Sequence, residues 1–136
     1  MAVEVYMREE AKLWLDDARY DLDSAQDLFR SARYNYAVWL ARQSSEKALK
    51  AAYLIALRKP IPKSHNLMEL ARGLGWDIPP AISEHLQFLN PHYTVTRYVD
   101  AAVGKPSDLY DEAIASEAIE KSKEVLDWIQ DNLKIS

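Results

Sequence analysis

Apolar residues recur at intervals of three and four from about residue 5 to residue 31 of the chain. This spacing places them on one face of an α-helix. The members of the stripe are Met7, Ala11, Trp14, Ala18, Leu22, Ala25 and Phe29. The sequence SARYN then breaks the pattern, and the chain is therefore predicted to form a first long helix followed by a turn.

A second helical stripe, from about residue 35 to residue 58, is built mainly from small residues that let a neighbouring backbone approach closely. It consists of Ala37, Ala41, Ser44, Ala48, Ala52 and Ile55. Pro60 and Pro62 end the stripe near Lys59, because proline lacks an amide donor and disfavours helix in the residue before it. We expect this second helix to lie at the centre of the fold.

Two short helices are predicted after the prolines. Asn66 followed three residues later by Glu69 is a typical N-cap arrangement, and GLGW ends that helix. Pro79 or Pro80 suits the first turn of the next helix, in IPPAISEHLQFLN. Residues 90–107 show neither helical nor strand periodicity, and we predict an ordered loop there.

The last stripe predicts a third long helix, from about residue 108 to residue 134, with Ser107 or Asp108 as its N-cap. Its members are Ala115, Ile119, Ser122, Val125, Leu126, Ile129 and Leu133. No strand pattern competes with these helices. The predicted fold class is all-α, an up-and-down antiparallel bundle of three long helices plus two short helices.

Composition limits the class of protein further. A chain of 136 residues with 49% hydrophobic residues and three glycines fits one globular domain, residues 1–136. With no cysteine, disulfides and thiolate metal sites are excluded, and three scattered histidines without an HExxH motif predict no metal and no cofactor. There is no apolar run long enough to cross a membrane and no signal peptide, so we expect a cytoplasmic protein.

Charge is segregated along the chain. The net charge of −4 argues against nonspecific coating of nucleic acid, yet basic residues gather within RQSSEKALKAAYLIALRKPIPKSHNL. Glu46 and Lys50 are spaced for an intrahelical ion pair, so this cluster is either a solvated face or a site for an anion. In the second interpretation, the residues that bind the anion are Lys47, Lys50, His65 and Arg97, with Tyr98 beside them.

The segment YTVTRYVD leaves two roles open for Arg97. Arg97 pairs with a carboxylate such as Asp21 or Asp100 and pins the loop, or it offers its guanidinium to a phosphate. In the second case Tyr93 or Tyr98 is available to stack on a base.

Three large residues fall on the side of the second helix opposite the small-residue stripe. They are Trp39, Tyr53 and Leu57. Since a four-helix core leaves this side uncovered, the three residues predict a surface for homodimerisation.

Three segments together resemble HEPN domains. QSSEKALKAAY is similar to the family's central helix, whose pattern is Q-x-x-E-K-x-L-K-A. SHNLMEL is similar to the histidine segment that follows, and NPHYTVTRYVDA to the loop before the last helix. The resemblance implies a bundle of four or five helices, commonly dimeric. It also implies a non-catalytic module that binds nucleotide or nucleic-acid phosphate, often as the partner of a minimal nucleotidyltransferase.

A second branch of the superfamily, metal-independent endoribonucleases that act as toxins, supplies an alternative. Its mark is an arginine followed after four to six residues by a histidine on one helix, and Arg58 and His65 have this spacing. In that alternative His65 is the acid or base, and Arg58 or Arg97 stabilises negative charge. The two prolines of KPIPKS oppose a shared helical face, and Leu67 replaces the tyrosine that such toxins carry. A further alternative is a purely structural interaction subunit.

Overall fold

A computed structural model describes the backbone of residues 2–134 and the side chains of residues 8–134. That part of the chain contains α-helices and no β-strand, which confirms the predicted all-α class. The helices are α1 (Ala2–Arg30), α2 (Tyr34–Ala52), α3 (Leu67–Gly73), α4 (Pro80–Leu89), α5 (Val99–Ala102) and α6 (Glu112–Leu133). None of these helices is long and apolar enough to span a lipid bilayer.

Helix α2 lies at the centre of the bundle, as its small residues predict. It packs mainly against α1 and α6, and also against α3 and α4. The Ser44 hydroxyl donates to the carbonyl of Ala18 on α1 at 2.6 Å, and the Ser122 hydroxyl of α6 donates to the carbonyl of Ala41 at 2.5 Å. Short polar side chains therefore satisfy their hydrogen bonds inside a close helix contact.

The predicted stripe of α1 faces this core. Ala11, Ala18, Leu22 and Ala25 are buried, and Trp14 and Phe29 pack against the same cluster from its edge. The side chain of Met7 lies outside the described residues.

Helix α2 continues directly into a π-helical turn, Tyr53–Leu57, which ends at Arg58. Arg58 has a left-handed backbone with φ of 52°. Pro60 and Pro62 follow in an irregular segment, so the second helix ends where the sequence predicts.

The prediction that Tyr53 is exposed is wrong. Tyr53 is only 6% exposed, and its hydroxyl donates to the carbonyl of Leu70 on α3 at 2.8 Å. Helix α3 covers this side of α2, which a bundle of long helices alone would leave open. Leu57, another residue of the predicted dimer surface, is half-buried against the core. Trp39, the third, is half-buried, and its ring lies beneath the Arg97 guanidinium.

Two boundaries differ from the predictions. Residues 90–107 form turns, as expected of an ordered loop, but they include the single helical turn α5. Ser107 and Asp108 belong to a 3-10 turn, and α6 begins later, with Asp111 as the N-cap that accepts a hydrogen bond from the Ile114 amide at 2.9 Å.

Candidate functional site

Glu46 is the centre of a buried polar network on α2. It is only 7% exposed, and its carboxylate accepts hydrogen bonds from Arg42 Nη1 at 2.9 Å and from Lys50 Nζ at 3.0 Å. These two cations lie four residues before and after it, on the same face of the helix. The third partner is His65, whose Nδ1 lies 3.0 Å from the carboxylate.

The charges of this network are set by two opposing effects. Burial alone would raise the pKa of Glu46, but hydrogen bonds from His65, Lys50 and Arg42 outweigh burial and lower that pKa below its ordinary value of 4.5. Burial lowers the pKa of Arg42, although Glu46 opposes that change. Glu46 is therefore a carboxylate at neutral pH, and His65 Nδ1 is the donor in their hydrogen bond. The other ring nitrogen, Nε2, is then the acceptor of the neutral ring and can take part in a hydrogen bond or a proton transfer.

Arg42 fastens two loops to α2. Its Nε donates to the carbonyl of Asn90 at 3.2 Å, and its Nη2 donates to the carbonyl of His65. The Asn90 side chain in turn accepts a hydrogen bond from the Leu67 amide at 2.8 Å. One buried guanidinium thus holds the backbone on both sides of the site.

The predicted cap of α3 also fixes the position of His65. The Asn66 side chain accepts hydrogen bonds from the amides of Met68 at 3.0 Å and Glu69 at 3.1 Å, which confirms Asn66 as the N-cap. Because His65 directly precedes the cap, its backbone is held where α3 begins.

Aromatic rings and a second guanidinium complete the surface above this network. The His65 ring stacks on Tyr93 at a centroid distance of 4.7 Å. The Arg97 guanidinium lies 4.6 Å from the Trp39 ring centroid and 4.9 Å from that of Tyr98. The His65 side chain is 52% exposed and Tyr98 is 50% exposed. We call His65, Tyr93, Arg97 and Tyr98 the His65–Arg97 surface.

Arg97 is held by the backbone and not by either predicted carboxylate. Its Nε and Nη2 donate to the carbonyl of Tyr93 at 3.1 Å and 2.7 Å. Asp21, one of the two expected partners, is instead bound to Lys47. The charge of Arg97 is consequently matched by a carbonyl and ring faces, which leaves it available to an anion.

The structure separates Lys47 from the other predicted binding residues. Lys47 points towards α1, where its Nζ lies 2.6 Å from Asp17 and 2.7 Å from Asp21. Burial would lower the pKa of Lys47, but the hydrogen bonds to these two carboxylates raise it above its ordinary value. Lys50 does join the network through Glu46, but as a buried side chain beneath the surface.

Arg58 does not share a helical face with His65. Arg58 closes the π-helical turn, and the segment from there to α3 is irregular. The two prolines prevent the helical arrangement on which an Arg–His pair of this spacing depends.

Sequence reasoning missed the role of Arg42. The sequence feature that could have indicated this role is the series Arg42, Glu46 and Lys50. These are three charged residues at intervals of four on a helix whose other residues are suited to burial. Within the described residues, no group of three or more His, Asp or Glu side chains is arranged to hold a metal ion.

Comparisons with known proteins agree with this architecture. The family model for the HEPN domain matches residues 11–133. MJ1304 of Methanocaldococcus jannaschii, which is named provisionally as a toxin, is 29% identical, and the match covers 91% of this chain and 88% of the relative.

Solved structures show the same likeness. The crystal structure of TT1696 from Thermus thermophilus is 30% identical with a TM-score of 0.82, over 89% of this chain and 96% of that one. The structure of ST0689, described as an archaeal HEPN homologue, is 27% identical with a TM-score of 0.78, over 90% of this chain and 97% of that one. A Thermotoga maritima HEPN domain protein, 22% identical with a TM-score of 0.70 over 89% of this chain and 97% of that one, shares the fold.

Proposed function

The chain belongs to the HEPN domain family, and from this premise we propose that it binds a nucleotide or RNA phosphate at the His65–Arg97 surface. The observation that carries the proposal is the position of Arg97. Its guanidinium is fixed by the Tyr93 carbonyl and by ring faces, and it has no carboxylate partner among the described salt bridges. A planar donor fork held in this way suits the oxygens of a phosphate.

The neighbouring side chains suit the rest of a nucleotide. Tyr98 is half-exposed beside Arg97, and a base can stack on an exposed ring of this kind. Because Glu46 occupies Nδ1 of the half-exposed His65 ring, Nε2 is the ring nitrogen that a ligand could contact. We assign Lys50 a positioning role through Glu46. Lys47 lies outside the proposed site, since Asp17 and Asp21 already match its charge.

Tryptophan fluorescence tests this proposal, because Trp39 lies directly under the Arg97 guanidinium. Titration with AMP and with a short single-stranded RNA should change that emission saturably. Arg97→Gln should weaken binding about tenfold or more, since it removes a charge-assisted hydrogen bond to phosphate. Lys123→Gln, an exposed residue on α6, removes the same charge and should leave the affinity unchanged.

Two results would count against the proposal. Absence of saturable binding of either ligand would leave the structural alternative, a protein-interaction subunit. Equal weakening in Arg97→Gln and Lys123→Gln would show that only the overall charge attracts the ligand.

A metal-independent endoribonuclease is the second candidate, and the contact between His65 and Glu46 favours it. A carboxylate on Nδ1 orients the ring and leaves Nε2 to accept the proton of a ribose 2′-hydroxyl. The 2′-oxygen would then attack phosphorus, the bond to the 5′-oxygen would break, and the proton would pass to that leaving oxygen. In this mechanism Arg97 would stabilise the added negative charge. The toxin name of the relative MJ1304 is compatible with this chemistry.

Labelled RNA incubated with the protein in EDTA distinguishes catalysis from binding. Cleavage that His65→Ala abolishes while RNA still binds would make the enzyme the better description. Without cleavage, binding alone supports the first candidate.

We also propose that the chain forms a homodimer and binds a minimal nucleotidyltransferase. Both proposals come from the family resemblance. Light scattering of the purified chain measures the first. Co-purification with a co-expressed minimal nucleotidyltransferase tests the second.

A further inference from the structure

A concave region lies beside the His65–Arg97 surface, at the turn between α1 and α2. It is a cavity of about 360 Å³, and Arg97 lines it as well. Two further cations, Arg33 and Lys105, complete its basic lining. Arg97 therefore belongs to both regions, and a ligand bound at one can continue into the other.

No carboxylate among the described residues pairs with the cations of this cavity. None of the described residues that line it is acidic, and the described salt bridges include neither Arg33 nor Lys105. Elsewhere in the described part of the chain, Arg30 and Lys47 pair with carboxylates. In a protein with a net charge of −4, three cations around one cavity are a local feature of the kind that attracts an anion.

The secondary structure at the cavity adds to this potential. Helix α2 begins at Tyr34, its N-cap residue Arg33 makes no side-chain cap hydrogen bond, and its first turn contains no acidic residue. The positive end of the α2 dipole therefore faces the cavity without a carboxylate to neutralise it. The three cations carry the argument, and the helix end acts in the same direction.

We propose that this cavity binds a second phosphate of an RNA strand whose neighbouring phosphate lies at the His65–Arg97 surface. The inference rests on the proposed function and makes it more specific, because a ligand that reaches both regions is an oligonucleotide. Tyr36, which is 44% exposed, and Ser107 also line the cavity. They offer a ring for stacking and a hydroxyl for a ribose.

Tryptophan fluorescence titrations with three ligands separate the classes of anion. The ligands are AMP, ATP and a four-nucleotide single-stranded RNA. The test variant is the double substitution Arg33→Gln with Lys105→Gln. We expect it to bind the tetranucleotide about tenfold more weakly, to reduce the dependence of affinity on salt, and to bind AMP as the wild type does. The matched control is Arg8→Gln with Lys123→Gln, two exposed residues outside the cavity, which should behave as the wild type.

The outcomes separate this inference from the proposed function. If the double variant binds the tetranucleotide normally while Arg97→Gln does not, the cavity is not a phosphate site and the proposed function stands. If ATP binding falls together with tetranucleotide binding, the ligand is a triphosphate and the inference is wrong. If the wild type binds none of the three ligands, both fail. Circular dichroism and thermal melting of each variant confirm that a loss of binding is not a loss of fold.

Discussion

Glu46 shows how a single residue serves both stability and function. Its carboxylate is buried on α2 and accepts hydrogen bonds from Arg42, Lys50 and His65. Without Glu46, Arg42 and Lys50 would be buried charges with no counterion, which would destabilise the folded state. His65 is half-exposed, so the same buried carboxylate also fixes the position of a side chain in the proposed site.

Glu46→Gln should lower the free energy of unfolding by about 3 kcal/mol, because it leaves two buried cations without a carboxylate. Urea denaturation at neutral pH measures this change. The matched control is Glu117→Gln, an exposed carboxylate whose intrahelical pair with Lys121 at 3.7 Å should contribute only about 0.5 kcal/mol. Similar small losses of stability in both variants would show that the negative charge of Glu46 is not needed to stabilise the network.

At the scale of elements, the periodic stripes predict the three long helices, and capping residues and prolines predict the two short ones. Neither signal predicts every boundary. A stripe of seven apolar positions defines a helix because many residues contribute to one face. A boundary depends on one capping side chain, and Ser107, Asp108 and Asp111 are all suitable caps near the start of α6. The structure uses Asp111, since Pro106 begins a separate 3-10 turn just before it.

Asp111→Ala should destabilise the protein by about 1 kcal/mol, because the α6 amides lose their cap and the carboxylate no longer meets the positive end of the helix. Asp108→Ala, at the exposed position that the sequence also predicts as a cap, should have little effect. Thermal unfolding of both variants compares them directly. A larger loss for Asp108→Ala would place the start of the helix where the sequence predicts it.

At the scale of the whole molecule, the site was harder to predict than the fold. His65 and Arg97 are 32 positions apart in the chain, and the family resemblance, not periodicity, indicates that they act together. Helical spacing could not separate Lys47 from Lys50, because only the packing of α1 against one side of α2 gives Lys47 its own carboxylates. The same limit applies to Tyr53, which α3 covers from outside the long-helix core.

His92 links the ordered loop to the stability of the whole fold. Its Nδ1 shares a 2.7 Å hydrogen bond with the Tyr110 hydroxyl, and burial raises the pKa of that hydroxyl to about 12, so Tyr110 stays neutral. Burial is also the main cause that lowers the pKa of His92 below its ordinary value of 6.5, and the charge of Arg42 adds to it. The unfolded chain therefore binds a proton at His92 more readily than the folded chain does.

Because the unfolded state takes up more protons at His92, stability should fall as the pH falls below 6.5. The slope from this one group is at most about 1.4 kcal/mol per pH unit. Urea denaturation at pH 7.5, 6.5, 5.5 and 5.0 should give a shallower decline for His92→Gln than for the wild type. Glu46 does not interfere, since its lowered pKa makes its stabilisation decline only below about pH 4.5. The same slope in both proteins would contradict a lowered pKa of the half-buried His92 in the folded state. The loop before α6 would then have no part in the acid sensitivity of the fold.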